Sequence, residues 1–193
     1  MQRCGWAIEG DPLYVDYHDR EWGVPLRSEQ GLFELLCLEG AQAGLSWRTI
    51  LHKREGYRRA FLGFDPARCA RLTDGEIEER LADPGIVRNR RKVASVRQNA
   101  QALLAMRARG EELSGLLWSF VGGEPEIHAF ASLGDVPPRS EVSDAMSREL
   151  RRRGFSFVGS TICYSLMQSA GLVMDHIVRC FRHGELGGTG VTR

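Results

Sequence analysis

Between Phe33 and Trp47 the chain reads FELLCLEGAQAGLSW, and this stretch limits the fold more than any other. Leu32, Phe33, Leu35, Leu36 and Leu38 make a helix that is apolar nearly all round, as expected of a segment enclosed by protein. Glu39 then falls where another leucine would be unremarkable, and a carboxylate in such company needs a partner or a purpose. Gly40 and Gly44 are expected to break the helix. Ser46 caps a second one, Trp47 to Leu62, whose Ile50, Leu51, Tyr57 and Phe61 form a core face. A carboxylate closing an oily helix beside an indole suggests the wall of a pocket. The plainer alternative is a helix end that points to water.

The chain of 193 residues, 42% apolar and 26% charged, can bury one substantial core. Its first residues, MQRCGWAIEGDPLY, lack an apolar signal core, and no run approaches the roughly 20 apolar residues of a membrane span. A cytoplasmic, monomeric protein with no membrane partner is the expectation. Cys4, Cys37, Cys69, Cys163 and Cys180 are odd in number and irregularly spaced, which favours thiols or metal ligands over a disulfide framework. The net charge of +1 conceals a one-signed segment. Ile86 to Gly110 carries Arg88, Arg90, Arg91, Lys92, Arg97, Arg107 and Arg109 without an acid. That pattern fits either a polyanion-facing surface or a solvated helix face.

Turn and cap residues divide the chain into helices. Met1 to Pro25 is aromatic and turn-rich, with at most a short helix from Tyr14 to Asp19. Ser28 caps the apolar helix, Asp65-Pro66 opens a short one, and Thr73 with Glu76 makes a capping box before EIEERLA. Asp83-Pro84-Gly85 stops that helix, since the proline forbids simple continuation and the glycine permits a positive φ, and a basic helix follows from Arg90 to Arg109. A hairpin of this kind can offer backbone N–H groups and a positive helix end to a phosphate. Further helices are expected at Ser114 to Val121, Asp144 to Arg153 and Ser160 to Ala170. Gly122 to Val142 shows no clear element, and residues 184–193 read as a disordered tail. The fold class is all-α, about eight to ten helices without a convincing strand.

Two constellations carry chemistry. His176 and Cys180 are four apart, on one face if helical, and Cys4 and His18 could complete a tetrahedral zinc site. From spacing alone the signal is weak, because a lone buried Cys or His is commoner than a ligand. Trp6, Tyr14, Tyr17, Trp22 and Trp47 surround Glu39 in sequence, and rings around a carboxylate suit a flat cationic ligand such as a nucleobase. Core aromatics are the alternative.

The stretches RCGW (3–6), DPLY (11–14), YHDREWGVP (17–25), LCLEGAQAGLSW (36–47) and RGFSFVGSTICYSLMQSAGLVMDH (153–176) closely resemble the DNA-3-methyladenine glycosylase I family. That family belongs to the helix-hairpin-helix DNA glycosylases. The resemblance implies a single domain over 1–183, two packed helical lobes with a pocket between them, and an irregular N-terminal segment tethered by zinc. It implies monofunctional hydrolysis of the N-glycosidic bond of 3-methyladenine in damaged double-stranded DNA, releasing the free base. A non-catalytic binder of alkylated bases on the same fold is the alternative. Glu39, as an ionised acceptor, would recognise the base and is the catalytic candidate, with Trp47 stacking and Tyr17, Trp6, Tyr14 and Trp22 closing the pocket. Cys4, His18, His176 and Cys180 would hold one structural zinc. Leu45 would be the wedge in the DNA stack, beside Gln42 and Gly44, while Gly85, Arg88, Arg90 and Lys92 would hold phosphates. The hairpin departs from the family pattern at Asn89 and Arg91, where a His and a Gly are expected.

Overall fold

The computed structural model describes residues 1–187, and its secondary structure is helical apart from one two-residue strand pair. The helices are α1 (Pro12–Arg20), α2 (Glu29–Gln42), α3 (Trp47–Ala60), α4 (Pro66–Cys69), α5 (Asp74–Leu81), α6 (Arg90–Arg107), α7 (Leu113–Ser119), α8 (Glu141–Arg152), α9 (Ser160–Ser169) and α10 (Phe181–Leu186). The strands β1 (Glu126–Ile127) and β2 (Val173–Met174) pair in parallel.

The α2 helix is the axis of the molecule, in contact with α3, α6, α7 and α9. Leu32, Phe33, Leu36 and Leu38 are shut off from solvent, and the cluster they start extends through Tyr57, Leu103, Met146 and Tyr164. Gly40 does not break the helix, which continues to Gln42. Its role is close approach: a Cβ there would stand 3.0 Å from that of Phe157. The break comes at Gly44, with φ +75°.

Most starts follow local chemistry. The side chains of Asp11, Ser28, Ser46, Asp65, Thr73, Asn89 and Ser140 each accept a backbone N–H at a helix N-terminus. Asp11-Pro12 opens α1 earlier than the expected Tyr14. One allowance goes unused and one expectation gives way. Gly85 lacks a positive φ; a Cβ on Gly56 of α3 would lie 2.2 Å from the Gly85 carbonyl oxygen, so the two glycines let helix and hairpin touch. The supposed excursion 122–142 contains β1 and a 3-10 turn, Leu133–Asp135.

At the other end, α10 occupies the start of the expected tail because Leu186 packs with Val24 and Met174. The rest of that tail lies outside the described residues. Main-chain bonds then draw the chain's two ends together: Gly23 N–H donates to Gln168 O (3.0 Å), and Leu26 N–H to Ala170 O (2.9 Å). None of the described helices is long and apolar enough to cross a membrane.

Candidate active site

A cavity of about 290 Å³ opens beside the end of α2. Its lining includes Glu39 and Gln42 from α2, Trp47 from α3, and Trp6, Tyr14, Tyr17 and Trp22 from the N-terminal segment. The aromatic residues singled out from sequence therefore meet at one place. Tyr17 and Trp47 lie 5.3 Å apart at 43°, while Trp6 meets Tyr14 and Trp22 edge-on at 5.3 and 5.1 Å. Edge-to-face packing locks the rings with little polar contact.

Glu39 is 2% exposed. Its Oε1 lies 2.8 Å from Ser169 Oγ, and its Oε2 has no partner among the described residues. The same Ser169 Oγ is 2.7 Å from the Ser165 carbonyl oxygen, and a hydroxyl has one proton to give. That proton is shared between the Ser165 carbonyl and Glu39, so the carboxyl receives at most part of one hydrogen bond. Burial pushes the Glu39 carboxyl up to about 8, against the lowering hydrogen bond from Ser169. With no cationic partner beside it among the described residues, burial favours the protonated form of this carboxyl. The reason is tertiary: the packing around the end of α2 encloses the group.

Four polar groups and two apolar ones complete the site without having been assigned roles from sequence. Ser165 and Gln168 line the cavity, with Ser169 one residue on; these are polar positions at i, i+3 and i+4 of the largely apolar α9, a visible signal. Asp175, fully buried, also borders it and accepts from Tyr164 OH (2.7 Å) and Gln168 Nε2 (2.8 Å), and lies 2.6 Å from His128 Nδ1. Leu133 and Val136 arrive from the stretch that had shown no element.

Behind the pocket, Cys4, His18, His176 and Cys180 are all buried, with ligand atoms within 4.8 Å of one another. Cys180 Sγ is 3.5 Å from both His18 Nε2 and His176 Nδ1, and Cys4 Sγ is 3.5 Å from His176 Nδ1. Tetrahedral zinc with ordinary bond lengths separates its ligands by about 3.3–3.8 Å. The outer groups fit a metal as well. His18 Nδ1 lies 2.7 Å from Asp19, which Arg3 holds, and His176 Nε2 is 3.0 Å from Trp22 O. His176 and Cys180 do not share a helix face, since residues 175–180 form a non-helical link between β2 and α10. Trp6 packs on His18 at 5.0 Å and Trp22 on His176 at 4.6 Å, so this cluster backs the pocket's aromatic wall.

The sequence profile of the methyladenine glycosylase family matches residues 6–183. The chain belongs to that family. It is 49% identical over 180 residues to DNA-3-methyladenine glycosylase 1 of Escherichia coli K12, covering 93% of this chain and 96% of that protein. A crystal structure of 3-methyladenine DNA glycosylase I superposes with TM-score 0.92 at 52% identity, over 93% of this chain and 98% of that one. The Staphylococcus aureus glycosylase I, solved for its recognition of 3-methyladenine, matches with TM-score 0.89 at 36% identity, over 94% and 96% of the two chains.

The family's DNA-facing candidates are differently disposed in this chain. Leu45 is 42% exposed at a tip formed with Gly44. Arg88 is exposed, but the Arg90 guanidinium is paired with Glu78, and Lys92 is buried with its ammonium turned inward. In the hairpin, the N–H groups of Gly85, Ile86, Val87, Asn89 and Lys92 already donate within the protein. The hairpin therefore offers fewer open donors than its sequence implied.

Proposed function

We propose that this chain removes 3-methyladenine from alkylated double-stranded DNA by hydrolysing the N-glycosidic bond, as a monofunctional base-excision repair glycosylase. The observation that carries the reading is Glu39: a buried carboxyl with one oxygen unpartnered, facing a cavity walled by aromatic rings. Alkylation at N3 leaves the base positively charged in DNA. When the base enters, that charge favours ionised Glu39, and the proton held in the empty pocket leaves for solvent. Low polarity strengthens the attraction, while a neutral adenine lacks the charge that would drive the proton off.

The bond from the deoxyribose C1′ to the base then breaks with its electron pair going to the base, which departs neutral. Water adds its oxygen to C1′ and loses a proton, leaving an abasic site. Trp47 and Tyr17 stack around the flipped base, with Trp6, Tyr14 and Trp22 behind them. Leu45 fills the vacated place in the stack, flanked by Gln42 and Gly44, and Arg88 with the Gly85 turn meets the phosphate backbone. The test is base release from methylated duplex DNA, followed by chromatography. A protein that binds such DNA without freeing base refutes the reading.

The Cys4, His18, His176 and Cys180 site suits zinc, one ion per chain in a closed structural role. Two thiols this close cannot readily both ionise alone: the hydrogen bond with Cys180, then burial, holds the Cys4 thiol up. A divalent cation relieves that conflict, ties residues 1–24 to the segment after β2, and supplies no step of the reaction. Substoichiometric metal in a protein that keeps full stability in chelator overturns this assignment.

A further inference from the structure

Asn89 caps α6, which places Arg90, Arg91 and Lys92 in its first turn, where the helix dipole disfavours positive charge. Lys92 escapes that position by turning away. It is buried, and its Nζ donates to the carbonyl oxygens of Ala41 (2.8 Å) and Ala43 (2.6 Å), at the C-terminal end of α2. A cation against the last carbonyls of a helix is favourable for the same reason that it is unfavourable at the start.

The carbonyls there can be accounted for one by one. Gly40 O accepts from Ala43 N–H (3.3 Å), Gln42 O from Leu45 N–H (2.6 Å), and Ala41 and Ala43 receive Lys92. Beyond them Gly44, at φ +75°, has open space around it, and Leu45 projects into solvent. With two of its donors spent inside the protein, the Lys92 ammonium is poorly placed to meet a phosphate.

We infer that Lys92 is a positioning residue: its ammonium fixes the Gly44–Leu45 tip against the start of α6, so that hairpin and wedge reach DNA as one rigid unit. This rests on the reading of Leu45 as the wedge. A neutral side chain at position 92 leaves two carbonyls unpartnered and frees the tip, while Glu39 and the aromatic walls keep their own contacts and Arg88 keeps its exposed charge.

Three measurements on Lys92→Met test it beside Leu45→Ala. In Lys92→Met, kcat/KM on duplex DNA carrying 3-methyladenine falls about 10- to 100-fold, as expected when a positioned group is misplaced. Affinity for free 3-methyladenine stays within about twofold, since that base needs no flipping. The slope of log binding constant against log salt stays unchanged, and the Leu45 amide exchanges its hydrogen faster. A slope reduced by about 0.9 makes Lys92 a phosphate contact instead. Equal losses for duplex and free base make it a support of the pocket, and unchanged exchange removes the anchor. If Leu45→Ala excises from duplex normally, the wedge reading fails and takes this inference with it. If Leu45→Ala is impaired and Lys92→Met is not, only the anchor fails. Should Lys92→Met not fold, Lys92→Gln, which keeps a donor for one carbonyl, decides by the same readouts with an intermediate loss.

Discussion

Two buried carboxylates face the same cavity, and they are treated oppositely. Asp175 has three polar neighbours within 2.8 Å: Tyr164, Gln168 and His128. Glu39, 2% exposed, has Ser169 and an oxygen with no partner. A carboxylate surrounded by donors is part of the frame. One left unsatisfied is a cost to the empty protein that only a ligand can recover. The contrast separates the group that holds the pocket's shape from the group that meets the base.

Exchanging each acid for its amide tests the contrast most directly. Glu39→Gln is expected to lower excision about 10²–10³-fold, or about 3–4 kcal/mol of transition-state stabilisation, with the fold intact. Full activity in a base-release assay would remove Glu39 from its role. Asp175→Asn is expected to reverse the pattern, losing about 2–3 kcal/mol of stability in urea melts because an amide cannot accept from every neighbour. Unchanged stability there, with activity abolished, would mean that the two roles had been assigned the wrong way round.

A smaller and more diagnostic effect is carried by pH. Glu39 rises from 4.5 when unfolded to about 8 when folded, so between these values the folded state binds more protons. Stability therefore falls as pH climbs from about 4.5 to 8, by at most about 1.4 kcal/mol per unit, and levels off above. Glu39→Gln should abolish that slope in pH-dependent melts. Because the cationic base needs the ionised form, kcat/KM should rise toward pH 8 and then flatten. A flat profile from pH 6 to 9 would mean that the empty pocket already holds a carboxylate. Smallest of all, Ser169→Ala should cost about 1 kcal/mol. Since the Ser169 hydrogen bond lowers the Glu39 pKa, its loss should carry the kinetic rise to higher pH.

How far the chain could be read in advance follows the range of the forces involved. The apolar run before Glu39, the Thr73–Glu76 capping box and the Asp83-Pro84-Gly85 stop act over a few residues, and the helices formed close to where those signals lie. Helix bounds missed where a partner far along the chain intervened. Gly40 kept its helix by accommodating Phe157, and Leu186 extended order into the expected tail by reaching Val24 and Met174. The polar stripe of Ser165, Gln168 and Ser169 was visible in α9, yet nothing in its spacing told which face would meet Glu39.

By itself the sequence determined the all-α architecture, the family, and the identity of the acid and aromatic residues at the pocket, because apolar pattern, caps and motifs are written locally. The tertiary structure decided their electrical state. Whether Glu39 keeps its proton, whether Arg90 is spent on Glu78, and whether Lys92 faces DNA or the end of α2 depend on groups 12 to 130 positions away. Charge interactions act through space and deepen with burial, so the sequence could name these groups while only the packed chain could set what each one does.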